Sequence, residues 1–74
     1  MPKLAPITAT KLLKILRQLG FIEVRQRGSH AILKHKDGRE TVVPVHQGED
    51  LGRGLLRKIL RDIKLSPDEF SKLR

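Results

Sequence analysis

A chain of 74 residues with sixteen Lys and Arg against eight Asp and Glu carries a net charge of +8 and a pI near 10.7. Such a length fits one domain, residues 1–74, that buries only about 60–65% of its unfolded surface and draws roughly 3–5 kcal/mol from its core. Cysteine is absent, which excludes disulfides and thiolate metal sites, and no apolar run approaches the roughly 20 residues that span a bilayer.

The charge points to a polyanionic partner: nucleic acid, an anionic membrane surface or an acidic protein. Phe21 and Phe70 are the only Phe, Tyr or Trp residues, which argues against a reader that stacks successive bases on aromatic rings. What remains is recognition of backbone and shape. Met1-Pro2-Lys3-Leu4 lacks the apolar core of a secretory signal, and the expected location is cytoplasmic, with no membrane partner.

Residues 1–6 hold two prolines and no pattern, and are expected to form a loose arm. Thr8 is a good N-cap, with Ile7 and Leu12 at staple positions. Leu12, Leu13, Leu16 and Leu19 recur at helical spacing, so the first helix is expected over Ala9–Leu19. Gly20 suits the position just past its end, with Phe21 folding back on Leu16. Phe21–Gln26 then alternates as a strand, with Ile22 and Val24 set against Glu23 and Arg25.

Arg27-Gly28 breaks that alternation, and Ser29–Lys36 reads as a second strand. Asp37-Gly38 is a strong hairpin signal for a two-residue type I′ turn, leading into a third strand over Arg39–Val45. That turn would pair Lys36 with Arg39, Leu33 with Val42, Ile32 with Val43 and His30 with Val45. Ile32, Val43 and Val45 would share one face, and Leu33, Val42 and Pro44 the other. Both are partly apolar, which leaves open which face carries the helices. Pro44 marks an edge strand, and His46 falls level with Ser29.

Gln47–Gly54 is a polar loop without the Gly-Lys-Ser/Thr ending of a phosphate-cradling loop. A second helix is expected over Arg53–Ile63, with Leu55, Leu56, Ile59, Leu60 and Ile63 on one face and Arg53, Arg57, Lys58, Arg61 and Lys64 on the other. A short last helix follows: Ser66 caps it, Pro67 opens it, Glu69 completes a capping box, and Leu65 meets Phe70. The expected fold is α+β: a two-layer sandwich of helix, three-stranded antiparallel sheet and helix, with a short C-terminal helix. Double-stranded-RNA-binding domains share this layout.

In residue detail the chain resembles a narrower group, the HicA (YcfA-like) family of mRNA interferase toxins, from about Ile7 to Phe70. The resemblance rests on Leu19-Gly20-Phe21, Arg27-Gly28-Ser29-His30, His35-Lys36-Asp37-Gly38-Arg39, Val43-Pro44-Val45-His46 and Gly54-Leu55-Leu56-Arg57-Lys58-Ile59-Leu60, in that order. It implies a metal-independent endoribonuclease without a cofactor, neutralised by a HicB-type antitoxin, with His30 as the catalytic residue. Two departures concern helix ends. Many members have a proline where Arg53 stands, and many end the second helix with a glycine that Ile63-Lys64-Leu65 lacks.

The chemistry agrees with that implication. RNA carries its own nucleophile, the 2′-hydroxyl, and an imidazole, whose ordinary pKa is about 6.5, can take its proton at neutral pH. Nearby cations can steady the charge on the phosphoryl oxygens. His30 is thus the candidate base, supported by Gly28 and Ser29, with Arg27, Lys34, Lys36, Arg53 and Arg57 as candidate RNA contacts. The plain alternative is a histidine that merely fills a strand position. His46 is a candidate second acid/base, although capping its loop is the simpler role. His35, near the turn, is expected to be solvated. His30 and His35, an odd number apart in one strand, face opposite ways and cannot share the tetrahedron that zinc requires. The rival to the enzyme is a non-catalytic double-stranded-RNA-binding module or a regulatory subunit of an antitoxin complex.

Overall fold

The structure, a computed structural model, describes residues 4–45 and 50–74. A two-residue strand β1 (Ile7–Thr8) leads into helix α1 (Ala9–Gln18). Strands β2 (Ile22–Arg27), β3 (His30–Lys34) and β4 (Glu40–Pro44) form an antiparallel sheet in the order β2-β3-β4. A short strand β5 (Asp50–Leu51), helix α2 (Arg53–Asp62) and helix α3 (Pro67–Ser71) complete the chain. The fold is the expected α+β arrangement of a three-stranded sheet, two helices and a short C-terminal helix. No described helix is long and apolar enough to cross a membrane.

The helix ends follow from local chemistry. The Thr8 hydroxyl accepts from the Lys11 amide at 3.2 Å, satisfying one free donor of the first turn of α1. Gly20 closes α1 at φ +100°, and the Phe21 amide reaches back to the Leu16 carbonyl at 2.9 Å. Ser66 and Glu69 form the reciprocal capping box of α3, at 3.1 and 3.2 Å. The amide of Ser66, followed by its hydroxyl, lowers the Glu69 carboxyl below its ordinary value.

Helix α2 ends differently. Lys64 takes φ +57°, and the Leu65 amide bonds to the Leu60 carbonyl at 3.0 Å. A lysine thus stands in the left-handed conformation that glycine adopts freely, at a cost of roughly 1 kcal/mol. Lys64→Gly is expected to raise the unfolding free energy by about 0.5–1 kcal/mol, read from the urea midpoint at constant m-value. A midpoint that falls would show that the lysine side chain contributes more than its backbone costs.

The hairpin between β3 and β4 corrects the expected register. Its loop has three residues, Lys36-Asp37-Gly38. The His35 amide donates to the Arg39 carbonyl at 2.8 Å and the Gly38 amide to the His35 carbonyl at 2.9 Å. Of the turn pair, only Gly38 has positive φ, whereas a type I′ turn needs it at both residues; this is a type I turn closed by a bulge glycine. Side chains select it. Asp37 accepts from the Arg39 amide at 3.0 Å and from its Nε at 2.8 Å, while His35 Nδ1 accepts from the Asp37 amide at 3.1 Å. The Arg39 amide chiefly, with its guanidinium and His35 adding, holds the Asp37 carboxyl below its ordinary value against a smaller desolvation effect.

One extra loop residue shifts every pair. His30 lies opposite Pro44, Ala31 opposite Val43, Ile32 opposite Val42, Leu33 opposite Thr41 and Lys34 opposite Glu40. The inner face is therefore Ala31, Leu33, Thr41 and Val43, all at most 2% exposed. Ala31, Leu33 and Val43 meet Leu12 and Leu16 of α1 and Leu56, Ile59 and Leu60 of α2 in one core cluster that also contains Phe21, Ile63 and Phe70. Thr41 is bonded across the layers, its hydroxyl donating to Asp62 Oδ2 at 3.0 Å. His30, Ile32, Lys34, Glu40, Val42 and Pro44 point the other way.

Two further corrections concern segments expected to be irregular. The arm is anchored at its described end: Leu4 is buried in the core, and Arg74 donates to the carbonyls of Ala5 at 2.7 Å and Pro6 at 2.9 Å. The polar loop before α2 contains β5, which pairs antiparallel with β1, Ile7 opposite Leu51.

Candidate active site

Arg27-Gly28-Ser29-His30 is itself a turn. Arg27 and His30 face each other across β2 and β3, with Gly28-Ser29 as the two-residue loop between them. Gly28 has φ +57° and Ser29 does not share the positive sign, the pattern of a type II′ turn with glycine first. A methyl group at Gly28 would meet no atom within 4 Å, so conformation rather than space demands glycine there. Gln26 Nε2 donates to the Gly28 carbonyl at 3.2 Å and steadies the loop from outside.

His30 opens the central strand and is exposed on the face turned away from the helices. Arg27 lies on one side of it and Pro44 on the other. The Val45 amide bonds to the Ser29 carbonyl at 2.6 Å, so hydrogen-bonded pairs between β3 and β4 fall on the odd-numbered residues of β3. His30 and Pro44 are then a non-hydrogen-bonded pair, with Cα atoms about 4.5 Å apart and side chains close. The amide that proline lacks would point off the free edge of the sheet, so the ladder to β3 loses nothing. The imidazole is left between a guanidinium-bearing strand and a rigid pyrrolidine wall, open to solvent.

The expected RNA contacts fall in three places. Arg27 stands beside His30, and Lys34 shares its face farther along β3. Lys36 sits in the opposite turn, six residues and about 20 Å away along the strand direction. Arg53 and Arg57 are exposed on α2, in the layer that packs on the inner face. They are not grouped with His30. His46 lies outside the described residues.

Arg25 was not among the expected contacts. It lies opposite Ile32 and points to the same face as His30, one row in from Arg27. Its sequence signal was the two-residue spacing from Arg27, which puts both on one side of a strand.

His35 is not solvated. Its side chain is 13% exposed and packs edge-on against Phe21, with ring centroids 5.0 Å apart. Its Nε2 lies 3.2 Å from the Leu19 carbonyl. Its Nδ1 lies 3.1 Å from the Asp37 amide and 3.0 Å from Asp37 Oδ1. This histidine fastens a hairpin to a helix end, and both ring nitrogens are occupied.

A cleft of about 410 Å³ lies at that same far end, lined by Asp37, Gly38, Arg39, Glu40, Asp62 and Lys64. It mixes charges of both signs and contains no residue of the His30 group. Among the described residues, no cluster of three or more His, Asp or Glu is arranged to hold a metal ion.

No curated protein matches the chain as a relative. A family model described as the HicA toxin of bacterial toxin-antitoxin matches residues 9–65, a span that runs from the first residue of α1 past the end of α2 and includes the whole His30 turn. On that match, which covers well over half of its length, the chain belongs to the HicA toxin family of bacterial toxin–antitoxin systems.

Proposed function

We propose that this toxin is a metal-independent endoribonuclease that cleaves mRNA with His30 as its general base, and that a HicB-type antitoxin neutralises it. The observation that carries the reading is the exposed imidazole of His30, held at the mouth of a two-residue turn with Arg27 directly across from it. His30 takes the proton of a ribose 2′-hydroxyl. The freed oxygen attacks the adjacent phosphorus, the bond to the 5′-oxygen breaks, and the leaving oxygen collects a proton from the imidazolium or from water. Arg27 steadies the charge gathering on the phosphoryl oxygens. Gly28 and Ser29 leave room for the RNA backbone to come close. The products are a 2′,3′-cyclic phosphate and a free 5′-hydroxyl.

The test compares a short oligoribonucleotide with the same strand carrying 2′-deoxy sugars, both in excess EDTA. Cleavage of the first alone, with a cyclic phosphate on the upstream product, is the expected result. Equal cleavage of the deoxy strand, or loss of activity in EDTA, would sink the mechanism. The basic outer side of α2 favours a second reading, a non-catalytic module that binds duplex RNA. Recovery of intact RNA after prolonged incubation with the purified toxin would support it.

A further inference from the structure

We propose that the open face of the β2-β3-β4 sheet, rather than the basic side of α2, is the bed on which the RNA lies, that it takes a single strand, and that Arg25 is a substrate-binding residue on it. This rests on the ribonuclease reading for its chemistry but not for its measurement.

The register sorts the charged residues by face. Across β2 and β3, Arg27 and His30 form one row, Arg25 and Ile32 the next, and Ile22 and Lys34 the third; β4 adds Pro44, Val42 and Glu40 to the same rows. The single carboxylate in these rows, Glu40, sits at the end farthest from His30. Around the imidazole the face is purely cationic. Arg25 and Arg27 are both exposed, and neither has a carboxylate partner among the described residues. Two residues apart in one strand, their Cα atoms are about 6.7 Å apart, a step that suits consecutive phosphates of an extended chain. If Arg27 attends the phosphate under attack, Arg25 meets the next one.

The same face explains the choice of strand. In-line attack needs the 2′-oxygen, the phosphorus and the 5′-oxygen nearly collinear, and a stacked A-form duplex holds them away from that line. A splayed single strand reaches it easily. The rows beyond His30 offer half-buried Ile32, Val42 and Pro44 as an apolar floor for unstacked bases. Both phenylalanines are buried in the core, so aromatic stacking is not available, and guanidinium planes take its place. The exposed cations of α2 belong to the layer behind the sheet, not to the face that carries His30.

Fluorescence anisotropy of a labelled, fully 2′-O-methyl oligoribonucleotide tests this without any cleavage. Arg25→Ala is expected to weaken binding about ten-fold, the worth of one charge-assisted contact. It should also flatten the salt dependence by about 0.7 in logarithmic slope. Arg25→Lys should recover part of the loss, and in cleavage assays KM should rise with kcat nearly unchanged. Arg61→Ala removes an equal charge from α2 and is expected to leave binding within about two-fold. The single strand should bind at least about ten-fold more tightly than the same strand annealed to its complement. A silent Arg25→Ala beside a weakened Arg57→Ala would move the bed to α2, and tighter binding of the duplex would overturn the choice of strand. If the parent toxin binds RNA in this pattern but cleaves none, the ribonuclease reading fails and the assignment of the face survives.

Discussion

His30→Ala is expected to lower RNA cleavage by about 10²–10⁴-fold, the usual worth of a placed general base, while leaving the fold as it was. The two outcomes separate because of where the side chain stands. It is exposed, on the uncovered face of the sheet, and outside the core cluster. Removing it opens no cavity and strands no buried polar group. A surface change of this kind moves stability by less than about 0.5 kcal/mol. Cleavage rates and urea unfolding, measured side by side on parent and variant, check both halves. Antitoxin binding should persist, since the backbone of the turn is set by Gly28 and not by the imidazole. Cleavage that continues undiminished would remove His30 from the mechanism.

Phe21→Ala has the largest expected effect on folding. The ring is 2% exposed and three elements converge on it. The His35 ring meets it edge-on at 5.0 Å, the Arg39 guanidinium lies 5.1 Å from its centroid, and its own amide closes α1. His35 and Arg39 in turn hold the ends of both long helices, through the Leu19 carbonyl at 3.2 Å and the Ile63 carbonyl at 2.6 Å. The packing is close enough that a methyl group on Gly20 would fall 2.9 Å from His35 Nε2. Truncating a buried phenylalanine costs about 3–5 kcal/mol, and a core of this size supplies roughly 3–5 kcal/mol in all. The variant should be largely unfolded at 25 °C by circular dichroism. A folded variant within about 1 kcal/mol of the parent would show that the cluster is peripheral to stability.

The elements that could be read in advance are those whose signals are local. Thr8, Gly20, Ser66, Pro67 and Glu69 act on groups within a turn of themselves, and the structure uses each as its chemistry suggests. The sheet register was not legible, because Asp37-Gly38 permits more than one turn and the choice is made by the side chains of His35 and Arg39. That single residue of slip decided which face is buried, and hence that His30 faces outward with Arg25. With Leu33 known to point inward, the two-residue spacing to His35 would have shown it turned inward too. The pairing of β1 with β5 involves two residues on each side, too few to leave a period. Lys64 itself carries no signal of its left-handed backbone; the one hint was the glycine that many HicA-like chains have at the end of this helix.

All six residues of β2 are exposed, on both sides of the sheet. No packed layer braces this strand. It is held by its ladder to β3, by Phe21 at its start and by the Gly28 turn at its end. Yet it is the strand that brings both arginines to the imidazole. A polyanion spanning β2 and β3 would serve as the clasp that the hydrophobic core leaves out. Because whatever binds only the folded form adds to its stability, this toxin should become firmer as it engages its target.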